Sequence, residues 1–244
     1  LLTRSLEKIA GGESPYRSQT DMGVNRAGFG IVDDEAVRMA ASQEVIRRYF
    51  RYNCEYAVGL AQKETVQRAE LLMKELNVGP EDRPVVLPAR QTAVEGERKG
   101  KGNEGIYCGA ALALADGRVV VGKNSPLMHA SSALLLNALK TLADIPDRIP
   151  LLAPSILDWI ASLKSHFGAD ATASLDVEET LIALGISATQ NPAAQLAIEK
   201  LGELRGCEMH LTHMPTPGDE AGLRRLGVNL TSDPNFSTKS LFIT

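Results

Sequence analysis

The sequence predicts an α/β protein: a small helical subdomain over residues 1–78, then a three-layer α/β/α sandwich with a mixed sheet over residues 79–244. Three observations carry this. Residues 1–77 show helical spacing around one long loop and no strand pattern. IYCGAALALAD and RVVVGKN flank Asp116-Gly117, a two-residue hairpin signal. After that hairpin, apolar strand-like runs alternate with helices, the pattern of βαβ units.

The elements follow in order. Leu1–Ala10 reads as the end of a helix stopped by Gly11-Gly12, and the loop after it carries five glycines between residues 11 and 30. Asp33 or Asp34 caps a helix starting near Glu35, with Val37, Ala41, Ile46, Tyr49 and Phe50 on its apolar side. A second helix carries Ala69, Leu72 and Leu76 and ends at Asn77-Val78-Gly79, before Pro80. VVLPARQTA (85–93) reads as a strand, and the glycine-rich stretch after it as a surface loop. Behind the hairpin, Leu134, Leu135, Leu136, Leu139 and Leu142 leave the next helix little polar surface, so it should be central. IPLLA (149–153) reads as a short strand, and helices are expected at about 155–166, 176–189 and 192–204. CEMHLTH (207–213) and VNLTS (228–232) read as strands on either side of a helix over Pro217–Leu226. That last helix is fully signed: Thr216 caps it, Pro217 starts it, Asp219 and Glu220 suit its N-terminus, Arg224 and Arg225 its C-terminus, and Gly227 stops it.

Composition excludes several function classes. In 244 residues, 26 basic and 30 acidic side chains give a net charge of −4, which implies no nucleic-acid stripe. The three cysteines, Cys54, Cys108 and Cys207, are far apart, which argues against a disulfide framework and a thiolate metal site and fits a reducing, cytoplasmic setting. No apolar run approaches the roughly 18 residues of a membrane helix, and no signal peptide is visible. The chain opens inside a helical pattern without Met, so it reads as a fragment.

The chemistry centres on GKNSPLMHASSALLLNALK (122–140). Strand pair, loop, His and helix is the layout of a zinc nucleobase deaminase, whose helix opens His-x-Glu. Here the triplet is His129-Ala130-Ser131, and the helix opening at Asn191-Pro192 lacks the two cysteines of the second zinc motif. A cytidine-deaminase-like layout without zinc chemistry is therefore expected, and no metal site. With Ser125 as cap and Pro126 as first residue, His129 falls in or just past the first helical turn. The positive helix end then favours a neutral imidazole, suited to hydrogen bonding or proton transfer. Lys123, Asn124 and Ser125 stand beside it and could receive a small polar or phosphorylated ligand. A plain helix-entry role for His129 stays open. Thr189 and Asn191 join the candidate wall if two helix N-termini converge, although capping alone accounts for Asn191. Asp21 and Asn25 offer ligating side chains from the long loop, which serves either a site or the wrapping of helices onto the sandwich. Strand alternation sends His210 and Thr212 to one side and His213 to the other, against a chelate. It leaves one of the two histidines within reach of the strand's C-terminal end, where open α/β sheets bind ligands.

SPYRSQTDMGVNRAGFGIVDDEA, QEVIRRYF, VVVGKNSPLMHASSALLLNALK, LIALGISATQNPAAQLAIEKLGELRGCEMHLTH and LRRLGVNLTSDP together resemble an uncharacterised bacterial family, domain of unknown function eighteen forty-six. The resemblance is to the C-terminal half of its members. It implies a partner in the chain's own N-terminal half, where the family carries a Gly-rich, P-loop-like nucleotide-binding region. No G-x-x-x-x-G-K-[ST] occurs here, so no cofactor is expected in this portion. The implied function is one wall of a small-molecule site in a nucleotide-dependent transferase, with His129 as candidate catalytic group. The competing expectation is a structural, dimerising module with a vestigial pocket. A homo-oligomer fits both.

Overall fold

The computed structural model describes residues 34–166 and 174–237. Within them lie eight α-helices and one four-stranded mixed sheet. The helices are α1 (Asp34–Ala57), α2 (Lys63–Leu76), α3 (Val86–Arg98), α4 (Ala130–Leu142), α5 (Pro154–Ser165), α6 (Val177–Ser187), α7 (Pro192–Glu199) and α8 (Pro217–Leu226). The strands are β1 (Gly109–Ala113), β2 (Val119–Lys123), β3 (Glu208–Leu211) and β4 (Asn229–Ser232), in spatial order β2-β1-β3-β4. β1 runs antiparallel to both β2 and β3, and β3 runs parallel to β4 through α8.

Alternation along β1 builds a core on each face of the sheet. Ala110, Leu112 and Leu114 join the main core with Leu134, Leu135 and Leu139 of α4 and with Met209 and Leu211 of β3. Ala111 and Ala113 turn the other way, onto Val85 and Ala89. Ile46 and Phe50 of α1, Met73 of α2 and Val86 form a third cluster, and the Phe50 ring lies 4.8 Å from that of His210. Two close approaches seat the helices. A Cβ at Gly122 would fall inside the backbone of Leu134 on α4, and one at Gly109 would strike the carbonyl of Ala89 on α3.

Two expected strands take other forms. VVLPARQTA lies in α3: Val86, Ala89 and Gly96 are buried at helical spacing against the sheet. Ala, Arg and Gln favour that helix, and Pro88 sits in its first turn, where the missing N–H costs little. IPLLA is an irregular segment whose Leu151 and Leu152 are buried all the same. Side chains satisfy its backbone in place of a ladder: Asn191 Nδ2 donates to the carbonyls of Pro150 and Leu151, and Ala153 N–H donates to Ser187 Oγ. The expected helix over 192–204 stops at Glu199, and a 3-10 turn covers Leu201–Leu204.

Arg83 ties α3's entry to the sheet edge. It is fully buried, and its guanidinium donates to Thr231 Oγ1, to the carbonyls of Met209 and Asn229, and to Glu208. Arg90 of α3 then grips both oxygens of Asp233 just past β4, at 3.0 and 2.7 Å.

A three-helix junction as candidate functional site

The N-termini of α4, α6 and α8 meet around one buried carboxylate, that of Asp219, whose side chain is 5% exposed. Its Oδ1 accepts from Ser131 Oγ at 2.7 Å and from Val177 N–H at 3.1 Å. Its Oδ2 accepts from Thr216 Oγ1 at 2.8 Å and pairs with His129 Nδ1 at 2.8 Å.

Local chemistry brings these groups together. Thr216 and Asp219 form the capping box of α8, so Asp219 lies in that helix's first turn. His129 is held by the backbone: its N–H donates to Leu175 O, and Leu175 N–H donates to Leu127 O. Asp176 follows Leu175 and caps α6 through Glu179 N–H. Gly218 lets the chain pass against the Asp176 carboxylate, where a Cβ would collide with it. Lys164 of α5 closes the rim by donating to Ser174 O and Glu179 Oε2, each at 2.7 Å.

The charges at the junction are set by these neighbours. Burial pulls the His129 imidazole down, but the bond to Asp219 and the charges of Asp219 and Asp176 outweigh it, so its pKa is raised. Burial pushes Asp219 up, yet His129, Ser131 and Thr216 hold it below its ordinary value. Asp176 is raised, by burial first and then by the charges of Glu179 and Asp219. The direction is opposite to the one the helix end alone would give. A helix terminus contributes about 0.3–1 kcal/mol, whereas a hydrogen bond to a charged partner is worth about 1.5–3 kcal/mol.

Of the described residues expected in the site, only His129 bonds to the Asp219 carboxylate. It is the N-cap of α4 itself, and Ser125 instead closes a turn, accepting from the N–H groups of Leu127 and Met128 at 3.2 Å. Asn124 is buried and holds β1's entry, accepting from Cys108 N–H and donating to Ile106 O. Lys123 alternates away from Gly122, so it faces the α3 side, where its charge reaches Glu95. Asn191 caps α7 and Thr189 Oγ1 donates to Ile186 O. Both lie past the far end of α6, about 16 Å from its N-terminus at a rise of 1.5 Å per residue. The helix starts that converge are therefore those of α6 and α8, not α7. Asp21 and Asn25 lie outside the described residues. In the sequence Asp219 shows only as a helix-start acid, and only the fold brings it to His129. Ser131, expected as the gap in a His-x-Glu motif, donates to that same carboxylate.

Nδ1 of His129 sits on a carboxylate, which places a hydrogen there. Nε2 meets no protein partner among the described residues, and the side chain is 27% exposed. Such a His–Asp pair can accept or donate one proton at Nε2. Cys108 feels the same carboxylate: burial, then the charge of Asp219, push its thiol up to about 12, so it is no nucleophile at neutral pH. Among the described residues no three His, Cys, Asp or Glu side chains group closely enough to hold a metal ion, and no helix is long and apolar enough to cross a membrane.

The fold and junction define an α/β protein with an oriented His–Asp pair at the sheet edge where β3 and β4 end. Residues 81–242 match the family model described as domain of unknown function DUF1846, C-terminal, and residues 1–77 match its N-terminal counterpart. The chain belongs to the DUF1846 family. The N-terminal match corrects the expectation that it resembles the C-terminal half alone. It is 47% identical over 242 residues to a UPF0371 protein of Clostridium tetani (strain Massachusetts / E88). It is 49% identical over 242 residues to one of Clostridium botulinum (strain Alaska E43 / Type E3), and 46% identical over 243 residues to one of the Langeland strain. Each match covers 99% of this chain and 48% of the relative, so the chain spans about half the length of the curated relatives it matches.

Proposed function

We propose that this chain supplies the proton-transfer wall of a small-molecule enzyme, with His129 Nε2 as acid and base and Asp219 as the carboxylate that orients and charges it. The observation that carries the reading is the 2.8 Å pairing of His129 Nδ1 with a carboxylate nearly shut off from water, on a ring still open to solvent. A buried partner of this kind fixes the tautomer and raises basicity. The position also supports it, since ligands of open α/β sheets bind beyond the C-terminal ends of parallel strands. β3 leads from that edge straight into α8 and Asp219.

The relatives are about twice as long as this chain. There a nucleotide site would make the whole a phosphoryl- or nucleotidyl-transfer enzyme, with His129 taking the proton of the accepting hydroxyl. The deaminase-like order of strand pair, loop and helix enters only as scaffold, because Ser131 gives its hydroxyl to Asp219 and offers no acid. The test is a thermal-shift screen of nucleotides and phosphorylated metabolites on protein of the relatives' full length and on this chain, each with and without His129→Ala. Nucleotides should stabilise the long protein only, and a metabolite stabilising the wild type should lose its effect in the variant. Equal nucleotide shifts in both lengths, or metabolite shifts indifferent to His129, would leave a structural, dimerising module as the better account.

A further inference from the structure

The one tryptophan in the sequence, Trp159, lies on α5 and is 76% exposed. α5 is apolar at Ile156, Leu157, Trp159, Ile160 and Leu163, yet none of its residues is buried. Ile156, Leu157 and Ile160 lean partly on the main core, whereas Trp159 and Leu163, one turn apart, face solvent. α6 runs alongside in the opposite direction. Ala153 N–H, at the start of α5, donates to Ser187 Oγ at the end of α6, and Lys164, at the end of α5, pairs with Glu179 at the start of α6. These two pins bring Ile182 level with Trp159. Ile182 is 62% exposed, and Ile186, a turn further on, is exposed as well. Between them Gly185 presents bare backbone, where a Cβ would meet nothing within 4 Å.

Such a face is built to be covered. α6 carries no charge from Leu181 to Ser187, and Asp158 is the one charge between Ile156 and Leu163. A helix apolar on all sides belongs in a covered position, and charge depletion marks the centre of a protein contact. Trp159 offers on the order of 150 Å², and Leu163, Ile182 and Ile186 on the order of 80 Å² each, so the patch holds about 400 Å² of apolar surface. A standard interface covers about 800 Å² per partner, of which about 57% is apolar, or about 450 Å². Ser155, Asp158 and Ser162 are exposed around the patch and supply the polar rim. Contacts between domains of one chain are more polar than this, and homodimer contacts more apolar. The patch is also its own complement, as a two-fold contact requires: the Trp159 ring stands out, and the space over Gly185 receives a ring.

We propose that the outer face of α5 and α6 is the surface by which this chain pairs with a second copy of itself, with Trp159 of each copy seated over Gly185 of the other. The contact adjoins the His129 junction. Lys164 follows Trp159 by about 7.5 Å along α5 and also donates to Ser174 O, on the segment that leads to Asp176. Pairing therefore braces the rim of the junction, and it stands independently of the acid–base role given to His129.

The test is light scattering and Trp fluorescence on this chain over a concentration series. The mass should rise from one chain to two, and the Trp159 emission should shift to the blue at the same midpoint. Trp159→Ala should weaken the pairing at least about thirtyfold, the loss typical of a central aromatic at an interface. Ile182→Glu should hold the Trp159 emission at its exposed position at every concentration. Both variants should keep the circular dichroism of the wild type, because neither side chain is buried in the single chain. A single chain at every concentration, or pairs that survive both substitutions, overturns the proposal. So does a blue emission independent of concentration in a single chain, which assigns the face to a segment of the same chain. Protein of the relatives' full length that stays a single chain at every concentration overturns it too, and assigns the face to the added half.

Discussion

Asp219→Asn separates the electrostatics of the junction from its shape. The amide keeps the volume of the carboxylate but presents one NH2 group, which must face either the Oδ1 donors Ser131 and Val177 N–H or the Oδ2 partners His129 and Thr216. A backbone N–H cannot reverse, whereas His129 can change tautomer and Thr216 Oγ1 can accept, so the NH2 group goes to His129. Nδ1 then becomes the acceptor, the hydrogen moves to Nε2, and the His129 pKa falls. In the wild type the raised His129 pKa contributes stability that is complete below about 6.5 and is lost as pH rises through the folded value. The lowered Asp219 pKa contributes stability that is complete above about 3.9 and is lost as pH falls through its folded value. The pair therefore stabilises most between about pH 4 and 6.5. Losing its charge-assisted bonds should cost about 2 kcal/mol there, or about 4–8 °C in Tm for a chain of this size, and less at pH 8.5, toward which the His129 contribution falls away. Thermal melts at pH 5.5 and 8.5, with ¹⁵N spectra of His129, measure both effects. An unchanged tautomer together with an equal loss of Tm at both pH values would refute the argument.

Arg83→Ala should be the most damaging single change on the opposite face. It removes the donor to Glu208 Oε2, to Thr231 Oγ1 and to two carbonyls, while Glu208 keeps Arg47 and Asn229 on Oε1, so the loss should be about 3 kcal/mol, the low end for breaking a buried charged pair, read as a Tm drop of about 6–12 °C. Asn191→Ala should cost about 2 kcal/mol, through its lost cap on α7 and its lost bonds to the Pro150 and Leu151 carbonyls, and leave any ligand shift that depends on His129 unchanged. A loss of ligand response in that variant would return α7 to the site.

The sequence made those elements legible whose signals are local. The hairpin turns at Asp116-Gly117 with Gly117 at a φ of +86°, α8 runs from Thr216's cap to Gly227 in the left-handed region, and α2 ends at Asn77 in the same conformation. Each depends on a few adjacent side chains. α3 was misread because a buried helix on a sheet shows short apolar runs much as a strand does, and only its length and its Ala, Arg and Gln content tell them apart. IPLLA was misread because burial of Leu151 and Leu152 does not require a ladder when Asn191 and Ser187 answer the backbone. The junction was the least legible. His129 stood out by type, but Asp219 lies 90 residues further on, and a helix-start acid looks the same whether it meets water or a histidine from another helix. The direction of the His129 shift has the same origin: the helix end is visible in sequence, and the distant carboxylate that outweighs it is not.

Gly109 and Gly122 sit on adjacent strands and turn to opposite faces, one under α3 and the other under α4. The sandwich is thus pinched at the edge where His129 stands, with both outer layers resting on bare backbone. Elsewhere a side chain acts as a compressible spacer between layer and sheet; here there is none. A methyl added at Gly122 would act as a shim, prying α4 outward and tilting its mouth against α6 and α8, and one at Gly109 would lift α3 off the other face. Two residues that carry no chemistry and touch no ligand therefore set the gauge of the whole edge, and in a mutational scan they should rank with Asp219 among the positions least tolerant of change.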